Sequence, residues 1–257
     1  MPDAHPDRLA ADLKQALARG EFTLHYQPRI GLMNGRAHGA EALIRWDHPV
    51  FGQLPPDQFI PLAERSGAIG EIGAWVLRQA TAEAMSWSAN CSAGAGLVVA
   101  VNVSAQQLRQ GRLLADVVAA LRASGLPAQR LEVELTESLA IGRAADIAQL
   151  RGLRELGVGV ALDDFGTGGA SLATLKRLPL TTIKLDRAFV DGLPGARDMA
   201  IARAAGALAA AFDLALVAEG VETPRQRDAL LSLGFAEAQG FLLGRPKPAE
   251  AIRALFE

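Results

Sequence analysis

Two adjacent aspartates followed by glycines, Asp163-Asp164-Phe165-Gly166-Thr167-Gly168, are the first residues here that could do chemistry, since neighbouring carboxylates can serve two cations at once. Comparable residues recur along the chain, each in or after an apolar run. Glu41 stands in Gly39-Ala40-Glu41-Ala42-Leu43-Ile44-Arg45-Trp46, and Asn102 in Val101-Asn102-Val103-Ser104. Glu134 and Glu137 lie in Glu132-Val133-Glu134-Leu135-Thr136-Glu137-Ser138, and Lys184 in Ile183-Lys184-Leu185-Asp186. Glu219 and Glu222 lie in Ala218-Glu219-Gly220-Val221-Glu222-Thr223, and Gln239 precedes Gly240. If these runs are strands of one closed sheet, carboxylates from at least four of them converge. Unpaired, they would repel one another and lose several kcal/mol of hydration apiece. One lysine does not offset that, whereas divalent cations do. Oxygen ligands with one amide suit hard ions, so Mg²⁺ or Mn²⁺ is expected rather than Zn²⁺. Two such ions ~3.5–4 Å apart generate hydroxide and stabilise the charge that builds up in phosphodiester hydrolysis.

The elements that would position these residues follow a β-α rhythm. Leu9, Leu13 and Leu17 with Gly20 read as a short helix and its stop signal. Strand-like runs follow at Phe22–Ile30, His38–Trp46, Leu97–Ser104, Leu131–Thr136, Val158–Asp163, Thr182–Asp186, Leu214–Glu219 and Ala236–Phe241. Helical stretches separate most of them, notably Gly67–Ala89, Ala105–Ala123, Arg143–Leu156, Ala196–Phe212 and Thr223–Leu233. Strands joined by helical crossovers predict a parallel barrel. Asn34-Gly35 between the first two runs is a hairpin signal, so the first pair should be antiparallel. The predicted fold is α/β, a TIM-like (β/α)8 barrel with an antiparallel first strand. It forms one domain over 1–257, with 1–20 a helix leading into the barrel. Alternation places Val158, Val160 and Leu162 on one face and Ala161 and Asp163 on the other, aiming Asp163 into the barrel mouth.

The stretches Tyr26-Gln27-Pro28, Gly39-Ala40-Glu41-Ala42-Leu43, Glu134-Leu135-Thr136-Glu137, Asp163-Asp164-Phe165-Gly166-Thr167-Gly168 and Ala218-Glu219-Gly220-Val221-Glu222-Thr223 resemble the EAL domain family. The resemblance runs from about Leu13 to the C-terminus. It implies hydrolysis of the bacterial messenger cyclic di-GMP to linear pGpG by a two-metal-activated water, with Mg²⁺ or Mn²⁺. By resemblance, Glu41, Asn102, Glu134 and Asp163 would hold the first metal. Asp163 would bridge to a second, which Asp164 and Glu219 hold or approach. Lys184 would orient the attacking water, and Gln239 would position water or a metal-bound group. Glu219 is the family's proposed general-base position, though a metal-activated water could make a separate base unnecessary. Glu137 would anchor the loop after Asp164. Arg45 would contact a substrate phosphate, with Gln27, Leu43 and Asp186 on the substrate side and Glu222 among them or supporting them. The resemblance further implies a homodimer and, in a longer parent chain, sensory or GGDEF domains. One departure is Gly169-Ala170-Ser171, where the family carries an aromatic residue and two serines in a loop that couples dimerisation to the metal site. That departure keeps a second reading open, a weak or inactive module that binds cyclic di-GMP as a receptor. A Mg²⁺-dependent barrel of another class, such as a lyase, would share the carboxylates but not these motif pairings.

Composition narrows the rest. A net charge of −2 gives no basic excess for binding a nucleic-acid polymer. The lone Cys91 excludes a disulfide framework and a cysteine metal site. No stretch approaches the ~20 apolar residues of a membrane span, and the opening residues are not a secretory signal, so a cytoplasmic protein is expected. His25, His38 and His48 read as structural or surface groups, and Trp46, Trp75 and Trp87 as packing. A single glutamate at a strand end is ordinarily a solvated surface group. Here seven of eight strand ends carry a metal- or phosphate-capable residue, and that conjunction singles the set out.

Overall fold

The computed structural model describes residues 6–87, 96–136, 143–167 and 172–256. Its strands are β1 (Phe22–Gly31), β2 (Ala37–His48), β3 (Gly52–Leu54), β4 (Val98–Asn102), β5 (Leu131–Thr136), β6 (Gly159–Phe165), β7 (Thr182–Leu185), β8 (Ala215–Ala218), β9 (Glu237–Ala238) and β10 (Lys247–Pro248). β1 turns back on β2 as an antiparallel hairpin, paired from Phe22↔Trp46 to Ile30↔Ala37. At the turn, Asn34 Oδ1 accepts from the Arg36 amide at 2.9 Å. From β2 the sheet runs parallel through β4, β5, β6, β7, β8 and β9. It closes where β9 meets β1 antiparallel, at Ile30↔Ala238. The result is a closed eight-stranded barrel whose first strand runs against both neighbours, as the β-α rhythm and the Asn-Gly turn predict. β3 and β10 extend its rim.

Alternation along the strands divides outside from inside. The outward residues Val99, Val101, Leu131, Val133, Leu135, Val160, Leu162 and Ile183 are all 0–1% exposed beneath the helices. The helices are α1 (Pro6–Ala16), α2 (Pro56–Ser66), α3 (Ile69–Trp87), α4 (Ala105–Arg109), α5 (Leu113–Ser124), α6 (Ala144–Leu156), α7 (Leu172–Arg177), α8 (Arg187–Val190), α9 (Ala196–Ala211), α10 (Pro224–Ser232) and α11 (Ala249–Arg253). None of the described helices is long and apolar enough to cross a membrane.

Two differences from the sequence reading have physical causes. The stretch Ala105–Ala123 is two helices, because Gly111 adopts a left-handed φ of 78° that an α-helix cannot accommodate. α2 is absent from the sequence reading because prolines interrupt its periodicity. Pro56 begins it, where a missing N–H leaves nothing unpaired, and Pro61 lies inside it. α2 buries Phe59, whose ring packs 5.7 Å from both Phe22 and Trp46 and fastens the β1–β2 hairpin to the helical layer.

One close approach lies just below the barrel mouth. Gly39, two residues before Glu41, lies so near β4 that a Cβ would fall 2.1 Å from the Val98 carbonyl oxygen. Backbone cannot yield as a flexible side chain can. Gly39→Ala should therefore destabilise the protein by more than ~2 kcal/mol, whereas Gly96→Ala, at a glycine with open space around it, should change stability by less than ~0.5 kcal/mol. Urea unfolding of both variants decides this, and equal midpoints would contradict it.

Candidate functional site

Inward alternation delivers charged residues rather than the bulky aliphatics that ordinarily fill such a barrel. Glu41 comes from β2, Glu134 from β5 and Lys184 from β7, with relative exposures of 6%, 1% and 0%. The Lys184 ammonium lies 2.6 Å from Glu219 Oε1, 2.8 Å from Glu134 Oε2, 3.3 Å from Asp163 Oδ1 and 3.5 Å from Glu41 Oε2, and it donates to Glu134 and Glu41. Amides complete the ring. Asn102 Nδ2 donates to Glu41 Oε1 at 2.6 Å, and Gln239 Nε2 donates to Glu41 Oε2 at 2.7 Å and Glu219 Oε1 at 2.8 Å.

The aspartate pair requires a backbone device. Neighbouring strand residues face opposite sides, yet Asp163 and Asp164 both reach the cluster. Asp164 adopts a left-handed φ of 55°, and the β6–β7 register slips between Leu162 and Phe165. The Asp164 amide then donates to Asp163 Oδ1 at 3.0 Å, while the Asp164 carbonyl accepts from the Thr167 hydroxyl at 2.9 Å. A non-glycine residue in this conformation costs of order 1–3 kcal/mol and recurs at functional sites.

Oxygens of Glu41, Glu134 and Asp163 lie within 4.8 Å of one another, as do oxygens of Asp163, Asp164 and Glu219. Asp163 belongs to both groups. Five carboxylates against one ammonium leave this cluster with a formal charge of −4, which two divalent cations would cancel. Glu134 Oε1 and Gln239 Oε1 are buried with no hydrogen-bond donor among the described residues, so acceptors stand uncommitted where a cation would need them. Carboxylate and amide oxygens without sulfur or imidazole form a hard-ion donor set, and the residues present fit divalent metal binding.

Protonation reflects the crowding. Burial pushes the Glu134 carboxyl well above the usual carboxylate range, with Lys184 opposing. Burial likewise raises Asp163, and burial together with the Asp163 charge raises Asp164. Glu219 is pushed by burial up to about 8 against the pull of Lys184. Burial also acts to raise Glu41, but Lys184 and the Gln239 and Asn102 amides outweigh it and hold it low. Burial would lower Lys184, yet Glu134, Glu219, Glu41 and Asp163 more than reverse this and keep it charged.

The remaining sequence candidates fall around this centre rather than in it. Leu43 follows Glu41 on the same face of β2 and lines a cleft of about 750 Å³ that adjoins Asn102 and Asp164 and is walled by Ile60 and Ile72. Arg45, half-buried, donates to the Ile44 carbonyl at 2.9 Å. Gln27 donates to the Gly244 carbonyl at 3.1 Å, and Asp186 caps α8 by accepting from the Ala188 amide at 2.9 Å. Glu222 pairs with Arg187 at 3.0 Å. Glu137 and the Gly169-Ala170-Ser171 departure lie outside the described residues. Two of the histidines make structural contacts. His48 accepts from the Val50 amide at 3.1 Å, and His38 pairs with Glu237 at 2.9 Å, away from the carboxylate cluster. Sequence reasoning passed over Arg29 and Glu237, which are buried or half-buried inside the barrel below the centre. The same inward alternation would have marked them, since each lies two residues from a chosen position.

With this geometry in hand, the sequence profile of the EAL domain matches residues 10–246. The chain belongs to the EAL domain family. It is 45% identical over 249 residues to the bifunctional diguanylate cyclase/cyclic di-GMP phosphodiesterase MucR of Pseudomonas aeruginosa, covering 96% of this chain and 36% of that protein. It is 44% identical over 247 residues to the cyclic di-GMP phosphodiesterase NbdA of the same organism, covering 95% of this chain and 31% of that protein. The chain thus spans about a third of the length of these curated relatives. The solved structure of the Pseudomonas aeruginosa MucR phosphodiesterase in complex with c-di-GMP superposes with a TM-score of 0.89 at 45% identity, covering 95% of this chain and 99% of that one.

The raised carboxyls of this EAL domain make a pH prediction for the metal-free protein. Glu219 ordinarily titrates at 4.5 and in the fold at about 8, so between those values the native state holds a proton that the unfolded chain has lost. Stability is therefore fully present below the lower value and falls as pH rises through the upper one. Glu134 and Asp163 act in the same direction. Melting in EDTA across this window should show the fall, and Glu219→Gln should make it shallower; a variant that keeps the full slope would refute the assignment.

Proposed function

We propose that this EAL domain is a metal-dependent phosphodiesterase that hydrolyses cyclic di-GMP to linear pGpG. The observation that carries the reading is the pair of carboxylate groups sharing Asp163 at the mouth of the barrel. Two relatives of similar sequence, the bifunctional diguanylate cyclase/cyclic di-GMP phosphodiesterase MucR and the cyclic di-GMP phosphodiesterase NbdA, support the choice of substrate. Mg²⁺ or Mn²⁺ ions would supply Lewis acidity at the phosphodiester and lower the pKa of the attacking water. Glu41, Glu134, Asp163 and Asn102 Oδ1 would hold one ion, and Asp163, Asp164 and Glu219 the other.

The remaining steps belong to the chain's own residues. Asn102 and Gln239 spend their amide N–H groups on Glu41 and Glu219, which fixes those carboxylates and leaves the amide oxygens turned to other partners. Lys184, charged and fully buried, offsets the negative charge of substrate and transition state and orients the attacking water. Glu219, beside the Lys184 ammonium, would take that water's proton. Water adds to one phosphorus and its bond to the ribose 3′ oxygen breaks, leaving a linear dinucleotide with a 5′-phosphate. The cleft beside Leu43 would receive a guanine base, with Arg45 and Gln27 toward the phosphates and Asp186 and Glu222 beyond Asp164. Glu137 would anchor the loop after Asp164.

Incubation with cyclic di-GMP and Mg²⁺ or Mn²⁺ should yield pGpG. Binding without turnover by well-folded protein would instead identify a receptor. Glu41→Ala should lower turnover ~100-fold or more through weakened metal binding. Lys184→Met should lower kcat by a similar factor while KM stays within a few-fold. An effect of Lys184→Met confined to KM would contradict its place in the reaction.

A further inference from the structure

Beneath the carboxylate centre lies a second buried polar layer. Arg29 Nη1 donates to Glu132 Oε1, and Arg29 Nε donates to Glu237 Oε2 at 3.0 Å. The Thr182 hydroxyl donates to the other oxygen of Glu132, and His38 Nδ1 meets Glu237 Oε1 at 2.9 Å. Arg29, Glu132 and Thr182 are 6%, 5% and 3% exposed. Gly159 leaves room for this packing, since a Cβ there would lie 3.2 Å from Glu132 Cβ.

Three members of this layer sit two residues from a member of the centre above, and the fourth, Arg29, sits two residues from Gln27 beside that centre. Glu132 precedes Glu134 on β5, Thr182 precedes Lys184 on β7, and Glu237 precedes Gln239 at the end of β9. Arg29 follows Gln27 on β1, which runs the opposite way. Residues i and i+2 share a face, so each pair forms one step down the same inner wall. The contacts also join strands that the sheet does not join: β1 to β5, and β5 to β7. Ladder hydrogen bonds set the spacing of neighbouring strands but not the width of the bore.

Width is what the upper layer needs. Its ligand oxygens must stand a few ångströms apart across the bore, and their mutual repulsion drives them outward. Burying an arginine and two carboxylates, where aliphatic side chains would fill the barrel at no desolvation cost, is poorly explained by stability alone. Arg29 resists such spreading because its planar fork holds two carboxylates from different strands at fixed distances.

We infer that Arg29, with Glu132, Thr182 and Glu237, forms a cross-barrel clamp that positions the metal-binding carboxylates above it. This inference rests on the metal reading of the centre given above. Arg29 is a positioning residue and touches neither metal nor substrate.

The test is Mn²⁺ binding without substrate, followed by the electron paramagnetic resonance signal of the free ion. Thr182→Val removes only the hydroxyl, keeping shape and every charge, and Arg29→Met removes the fork. Arg253→Met, which breaks the pair between Arg253 and Glu83 elsewhere in the fold, controls for stability loss alone. Both clamp variants should weaken Mn²⁺ binding about tenfold or more, while Arg253→Met lowers the melting temperature and binds Mn²⁺ like the parent. Clamp variants that melt lower yet bind Mn²⁺ within twofold of the parent would overturn the inference. If Arg29→Met does not fold, Thr182→Val decides the matter. Failure of Thr182→Val to fold would also overturn it, since the layer would then be a folding requirement. Failure of the metal reading is seen separately, as a parent protein that takes up no Mn²⁺.

Discussion

The contact on which the rest of the structure depends is the Lys184 ammonium among four carboxylates, inside a barrel that water barely enters. Each of these ions has lost hydration worth several kcal/mol, and only mutual attraction at short range returns it. Lys184 alone is too little for five negative groups. The chain responds by protonating part of the cluster: Glu134 and Glu219 are driven upward by burial while Glu41, gripped by two amides and the lysine, stays ionised. Divalent cations held there would compete with protons for the same oxygens.

Such a centre makes demands on the scaffold. Carboxylates that repel must be borne on elements that cannot drift, and parallel strands beneath a continuous apolar jacket meet that need. Val133 and Leu135 face outward from the same strand that turns Glu132 and Glu134 inward, so one strand serves both the core and the chemistry. The antiparallel hairpin has its own part in this. It brings β1 between β2 and β9, and so sets Arg29 inside the barrel opposite Glu132, a cation that an all-parallel arrangement of this sequence would have put elsewhere.

Backbone conformation carries the final adjustment. The left-handed turn at Asp164 converts a strand that would send consecutive side chains to opposite faces into one that aims two carboxylates at a single point. Membership of the EAL domain family accords with this arrangement, and the match covers nearly the whole chain.

Much of this was legible in the sequence. Period-two alternation in Leu131–Thr136 and Val158–Asp163 determined which residues face inward, because a strand offers only two sides. The Asn34-Gly35 turn determined the antiparallel pair, because so short a connection cannot reach a parallel neighbour. The residue types determined the preference for hard cations. Helix α2 was not legible, because its prolines mask the periodicity that marks an amphipathic helix. Nor was the pairing within the lower layer, because alternation can turn Arg29, Glu132 and Glu237 inward without saying which of them meet. Local pattern dictates the face on which a side chain lies, and it is silent on the partner across the bore. That partner was decided by tertiary structure alone, because Arg29 and Glu132 are 103 residues apart and only closure of the sheet brings them within a hydrogen bond.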